Sequence, residues 1–127
     1  MKLELINSDK RGEINIITEL SQFSEVAIFT TKAGFARGGC IHGINCEYVC
    51  VLEGVIKYIQ GENKVETIMY PGTSIAIPKA TPHYFLSITN STVAEWGATP
   101  AEKQFKHKEF RAIVDRLNQV KERKEMK

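Results

Sequence analysis

The chain has 127 residues, of which 43% are hydrophobic and 25% charged, proportions that suit one soluble globular domain and leave too little chain for two. No stretch approaches the roughly 18–20 consecutive apolar residues that span a bilayer, and the opening MKLELINSDKRGEI carries no apolar signal region, so a cytoplasmic protein is expected. A formal charge of +2 excludes a strongly basic nucleic-acid binder.

From Glu102 onward the chain carries nine Lys/Arg against five Asp/Glu. With no RNA-binding motif of interleaved aromatics beside it, this reads as a solvated helix face, so neither a nucleic-acid nor a membrane partner is expected. The three cysteines, Cys40, Cys46 and Cys50, are odd in number. They lack the paired spacing of a zinc ribbon and are expected to be reduced thiols.

In chain order, LELIN and EINIITEL flank the polar SDKRG, and EVAIFTTK and GFARGG follow. EYVCVLEGVIKYIQGENKVETIMY reads as two or three strands, with turns at Glu53-Gly54 and at GENK. TSIAIP is a short strand ended by proline, and HYFLSITN and TVAEWGA complete the set. Short strands with turn residues between them indicate a β-sandwich or barrel. The end differs: Phe110, Ile113, Val114, Leu117 and Val120 recur at spacings of three and four, which predicts an amphipathic helix over roughly 102–124. Its apolar stripe packs on the barrel or at a dimer contact.

The chemistry-bearing residues cluster in two places. Alternate side chains of a strand share a face, so Cys40 and His42 point the same way. Gly43 and Asn45 let the chain reverse, and Glu47 then shares a face with Val49 and Val51. A carboxylate among valines needs a metal, a cation or donors. His83 follows Pro78 and a Pro-rich loop. Cys40, His42, Glu47 and His83, converging inside a barrel, suit a divalent transition metal such as Zn, Fe, Mn or Ni. No organic cofactor is expected. Arg37 either forms an ion pair or grips a phosphate or carboxylate through its planar fork. Tyr84, next to His83, is the candidate proton donor. Tyr48, Tyr70, Trp96 and Phe85 are read as packing or pocket wall, and His107 as a solvated helix residue.

These spacings resemble the two motifs of the cupins. Gly34, Cys40, His42, Glu47 and Gly54 match the first, with Cys40 in place of its first histidine. Gly72, Pro78 and His83 match the second, with Ala80 and Ser87 in place of its glycine and asparagine. The resemblance covers residues 34–83. It implies an all-β jelly-roll barrel, expected over 1–100, and the apolar periodicity adds a C-terminal helical segment over 101–127.

DKRGEI (Asp9–Ile14) and ARGGCIH (Ala36–His42) further resemble the nucleotide-sugar cupins. These are the sugar 3,4-ketoisomerases, the 3,5-epimerase-like proteins and the cupin domain of a capsule-sugar epimerase. That likeness implies an enzyme that isomerises or epimerises a dTDP- or UDP-linked 4-keto sugar by proton transfer. Arg37 would lie near the substrate and His42 or Cys40 would act as base. A homodimer is expected. The competing expectations are a metal-dependent cupin of another reaction type, such as a dioxygenase or a sugar-phosphate isomerase, and a non-enzymatic cupin that binds a metal or ligand.

Overall fold

A computed structural model describes residues 2–18, 26–43, 45–97 and 104–125 of the chain. Eleven strands and one helix are present among them: β1 (Lys2–Asp9), β2 (Gly12–Thr18), β3 (Val26–Thr31), β4 (Ala36–His42), β5 (Glu47–Glu53), β6 (Ile56–Gln60), β7 (Val65–Met69), β8 (Ser74–Ile77), β9 (His83–Ser87), β10 (Ser91–Trp96), β11 (Gln104–Lys106) and α1 (Lys108–Glu125). The strands form two antiparallel sheets, with orders β1-β2-β3-β10-β5-β8 and β11-β4-β9-β6-β7. This is the expected jelly roll. Gly54, with φ +82°, turns β5 into β6, and residues 61–64 join β6 to β7, as the turn signals predict.

The core follows from strand alternation. Val49 and Val51 of β5, Ile77 of β8 and Val93 of β10 project from one sheet. Ile56 and Tyr58 of β6, Met69 of β7 and Phe85 of β9 project from the other to meet them. Burying the apolar area of each such side chain contributes about 1.5–3 kcal/mol.

A second apolar layer lies on the outer face of the smaller sheet. There Phe110 and Val114 of α1 pack on Ala36, Ile59 and Tyr84. The helix therefore seals its own barrel, the first of the two packings its stripe permits. It begins at Lys108, later than the sequence pattern predicts. Gln104–Lys106 pairs instead with His42–Cys40 of β4, and His107 caps the helix, its Nδ1 accepting the Phe110 N–H at 3.3 Å. Residues 98–103, which include the expected boundary between barrel and helical segment, lie outside the described residues. No helix among the described residues is long and apolar enough to cross a membrane.

Candidate active site

One end of the sandwich opens into a cavity of about 570 Å³ lined from both sheets. Its geometry depends on a β-bulge in β4. Arg37 pairs with Phe85 of β9, and Cys40 pairs with His83, with a register shift between Gly38 and Cys40. Strict alternation would put Arg37 on the face opposite Cys40. The inserted residue restores the phase, so Arg37, Cys40 and His42 all line the cavity. Gly38 and Gly39 carry the bulge at φ +114° and +89°. A Cβ on Gly39 would lie 2.8 Å from the Arg111 Cα of α1, so glycine is required both for conformation and for the helix to approach.

The four expected donors converge on the cavity floor. His42, Glu47 and His83 are only 5%, 5% and 3% exposed. The Glu47 Oε2 pairs with His42 Nε2 and lies 3.9 Å from His83 Nε2. The two imidazoles stack at 5.4 Å, 15° from parallel. Cys40 Sγ lies 3.7 Å from His83 Nε2, and the donor atoms of Cys40, His42 and His83 all fall within 4.8 Å of one another. His83 Nδ1 lies 2.9 Å from the Thr81 carbonyl oxygen. A carbonyl only accepts, so Nδ1 carries the hydrogen and the Nε2 lone pair faces the cavity, the orientation a metal-binding histidine needs.

The electrostatics form one coupled set. Burial pushes His83 below the usual imidazole range, against the pull of Glu47, so this ring is neutral near pH 7. Burial alone would raise Glu47, but the hydrogen bond from His42 and the nearness of both imidazoles hold it below the usual carboxylate range. Burial, reinforced by Glu47, pushes the Cys40 thiol up to about 12, so it is protonated and donates toward His83.

Two cavity residues escaped the sequence reading. Glu95 of β10 pairs with Val49, faces inward, and hydrogen-bonds Glu47. Burial and then the Glu47 charge drive it well above the usual carboxylate range, so it holds a proton and donates it to Glu47. Its signal was present in TVAEWGA, where Val93 and Glu95 share a face just as Glu47 and Val49 do. Tyr58 is the other: it is 1% exposed and its ring stacks on those of His83 and Phe85, at 6.3 and 6.0 Å.

Tyr84 is not brought to this group. It pairs with Gly38 and Ile59 on the outer face of its sheet and meets Phe110 edge-on at 5.2 Å under the helix. Adjacent residues of a strand point to opposite faces, so nearness to His83 in sequence carries Tyr84 away from the cavity. Arg37, 3% exposed, donates Nε to Thr31 Oγ1 at 2.8 Å and Nη2 to the Thr30 carbonyl at 3.1 Å. It sits 5.7 Å from the centre of the Phe29 ring. Its Nη1 has no hydrogen-bond partner among the described residues. Desolvation lowers its pKa to about 10, so it stays charged.

The donor set fits a divalent transition metal. Two imidazoles and one thiol lie close enough together to share an ion, the Glu47 carboxylate stands beside both imidazoles, and the Thr81 carbonyl presets one of them.

No family model matches the sequence, and no curated protein does. Solved structures do match. The capsular polysaccharide assembling protein CapF from Staphylococcus aureus is 19% identical, with 83% of this chain aligned to 34% of that one at a TM-score of 0.70. An oxalate decarboxylase from Bacillus subtilis is 18% identical over 81% of this chain and 29% of its own, at 0.68. An RmlC-like cupin from Desulfovibrio desulfuricans is 24% identical over 73% and 88%, at 0.60. The chain thus spans about a third of the length of the first two. At these identities the likeness is one of fold. With its two antiparallel sheets closed around an inward-facing Cys/His/Glu/His group, the chain has the cupin fold.

Proposed function

We propose that the chain isomerises or epimerises a nucleotide-linked 4-keto sugar by proton transfer beside the carbonyl. The observation that carries this reading is Arg37: a buried, charged guanidinium with an unpartnered Nη1, in the same cavity as a histidine held by a carboxylate. The guanidinium binds the diphosphate or a sugar oxygen. His42, oriented by Glu47, takes the proton from the carbon next to the carbonyl, the hydroxyl proton of that carbon passes to the former carbonyl oxygen, and the imidazolium returns its proton to the former carbonyl carbon, which completes an isomerisation. The Cys40 thiol, protonated at working pH, is not the base. Ile14, Ile16 and Phe29 in the cavity wall exclude water from the exchange. Likeness to CapF, a capsular polysaccharide assembling protein, supports a sugar substrate. The three free cysteines agree with a cytoplasmic setting. The outer face of the larger sheet leaves Leu5, Tyr48 and Leu52 exposed, which supports a homodimer.

The test is a thermal-shift and calorimetric screen with dTDP, UDP and their 4-keto sugar conjugates. Stabilisation by a nucleotide diphosphate that disappears in Arg37→Ala is expected. No stabilisation by any nucleotide ends this reading.

A second reading rests on the preset Nε2 of His83. In it Cys40, His42, Glu47 and His83 hold a divalent Zn, Fe, Mn or Ni ion, which would supply Lewis-acid polarisation of a bound oxygen. His42 is then committed to the ion, and the chain is a metal-dependent cupin of another reaction type. Elemental analysis separates the two: stoichiometric metal in the purified protein favours the second.

A further inference from the structure

The cavity contains a donor that neither account uses. Tyr58 of β6, Phe85 of β9 and Arg37 of β4 form one cross-strand row on the inner face of the smaller sheet. Two strand spacings separate Tyr58 from Arg37, roughly 10 Å between backbones. The Tyr58 ring is wedged between those of His83 and Phe85, so its hydroxyl is fixed in place. Yet that hydroxyl has no hydrogen-bond partner among the described residues, although the side chain is 1% exposed and lines the cavity. A tyrosine hydroxyl at a cavity wall without a protein partner is open to hydrogen-bond a bound molecule. The neighbouring groups do not serve. The Glu95 carboxyl hydrogen-bonds Glu47, and the Cys40 thiol faces His83.

We propose that the Tyr58 hydroxyl is the hydrogen-bond donor to an oxygen of the molecule bound in the barrel, opposite the guanidinium of Arg37. The row then defines the ligand class: an oxygen-rich group, anionic at one end and with a carbonyl or hydroxyl oxygen at the other, lying against Phe85. This deepens the nucleotide-sugar reading by assigning the contact to the sugar end, and it rests on that reading only for the identity of the ligand. Tyr58 acts as a neutral donor, so it fixes which oxygen sits on the cavity floor.

The test compares the intact wild-type chain with Tyr58→Phe. Without ligand the variant melts at the same temperature or higher, because the lost hydroxyl had no protein partner. A fall of several degrees means the hydroxyl holds structure, and the assignment is overturned. The probes for calorimetry are dTDP, a dTDP-linked 4-keto sugar, and the small oxyanions pyruvate, glycolate and malonate. The 4-keto sugar is expected to bind the variant roughly tenfold more weakly, the factor one neutral hydrogen bond contributes at most, with dTDP unaffected. Equal affinities of both proteins for every probe that binds overturn the Tyr58 assignment and leave the nucleotide-sugar reading standing. Binding of an oxyanion but no nucleotide, with the tenfold loss in the variant, upholds Tyr58 and sinks the nucleotide. Binding of no probe at all overturns both.

Discussion

Glu95 shows how a single residue decides the character of the site. Three of the four floor donors could be read from glycine and proline spacing alone, together with Cys40 in the place of a histidine. Glu95 could not, because it belongs to no spacing, and only the alternation in TVAEWGA betrays it. Its pKa is raised in the folded chain, so it contributes stability below its unfolded value of 4.5 and loses it as pH rises above that value. Glu95→Gln removes the liability. In melts of metal-free protein the variant is expected to be more stable than wild type above pH 4.5, the gap widening by at most about 1.4 kcal/mol per pH unit. A variant less stable at every pH would mean that Glu95 is ionised and paired. At Cys40 the choice of atom matters. If the thiol is a ligand, Cys40→Ser lowers affinity for Zn²⁺ far more than for Mn²⁺, because only the softer ion gains from sulfur. His83→Ala lowers both by at least about 10–100-fold, the range that altering even the outer partners of a metal ligand reaches. Titration calorimetry reads both, and equal losses in Cys40→Ser exclude the sulfur from the metal group.

At the scale of the element, the bulge in β4 is what the sequence hides. GFARGGCIH reads as an alternating strand, which would put Arg37 outside. The resemblance put it near the substrate, and the fold reconciles the two by spending one residue at Gly38-Gly39. Adjacent glycines are the only trace, and they equally signal a turn. The helix starts later than its apolar stripe suggests for a related reason. The apolar stripe begins at Phe110, but nothing in QFK distinguishes a helical turn from a short strand until the free edge of β4 is there to pair with it. Gly39→Ala tests the bulge. The left-handed φ of +89° and the 2.8 Å approach to Arg111 both oppose a methyl group. A loss of about 1–3 kcal/mol in chemical denaturation is expected from the backbone conformation alone, with weaker ligand binding as Arg37 shifts. A variant of wild-type stability would show that β4 and α1 are not held together at this point.

The layering of the whole molecule follows from the sequence because strand alternation, turn glycines and one apolar helix stripe all demand it. Its response to pH depends on tertiary contacts that no local pattern reports. Glu47 and His83 both have lowered folded pKa values. Each therefore contributes stability above its unfolded value, 4.5 or 6.5, and loses it as pH falls through the folded value. Glu95 runs the other way and erodes stability above 4.5. Between 4.5 and 6.5 the slopes of His83 and Glu95 oppose each other. Below 4.5 Glu47 dominates and stability falls. Above 6.5 only the Glu95 loss remains, and the Cys40 thiol adds to it between its usual value of 9 and about 12. The metal-free barrel is thus expected to be most stable between pH 4.5 and 6.5. A bound divalent cation favours the deprotonated thiol and carboxylates, so saturating Zn²⁺ moves the optimum to higher pH and releases protons on binding. Melting temperatures across pH 4–9, with and without Zn²⁺, check both parts. An optimum that stays where it was on adding the ion, with no proton release, would mean that the Cys40/His42/Glu47/His83 group does not take a metal.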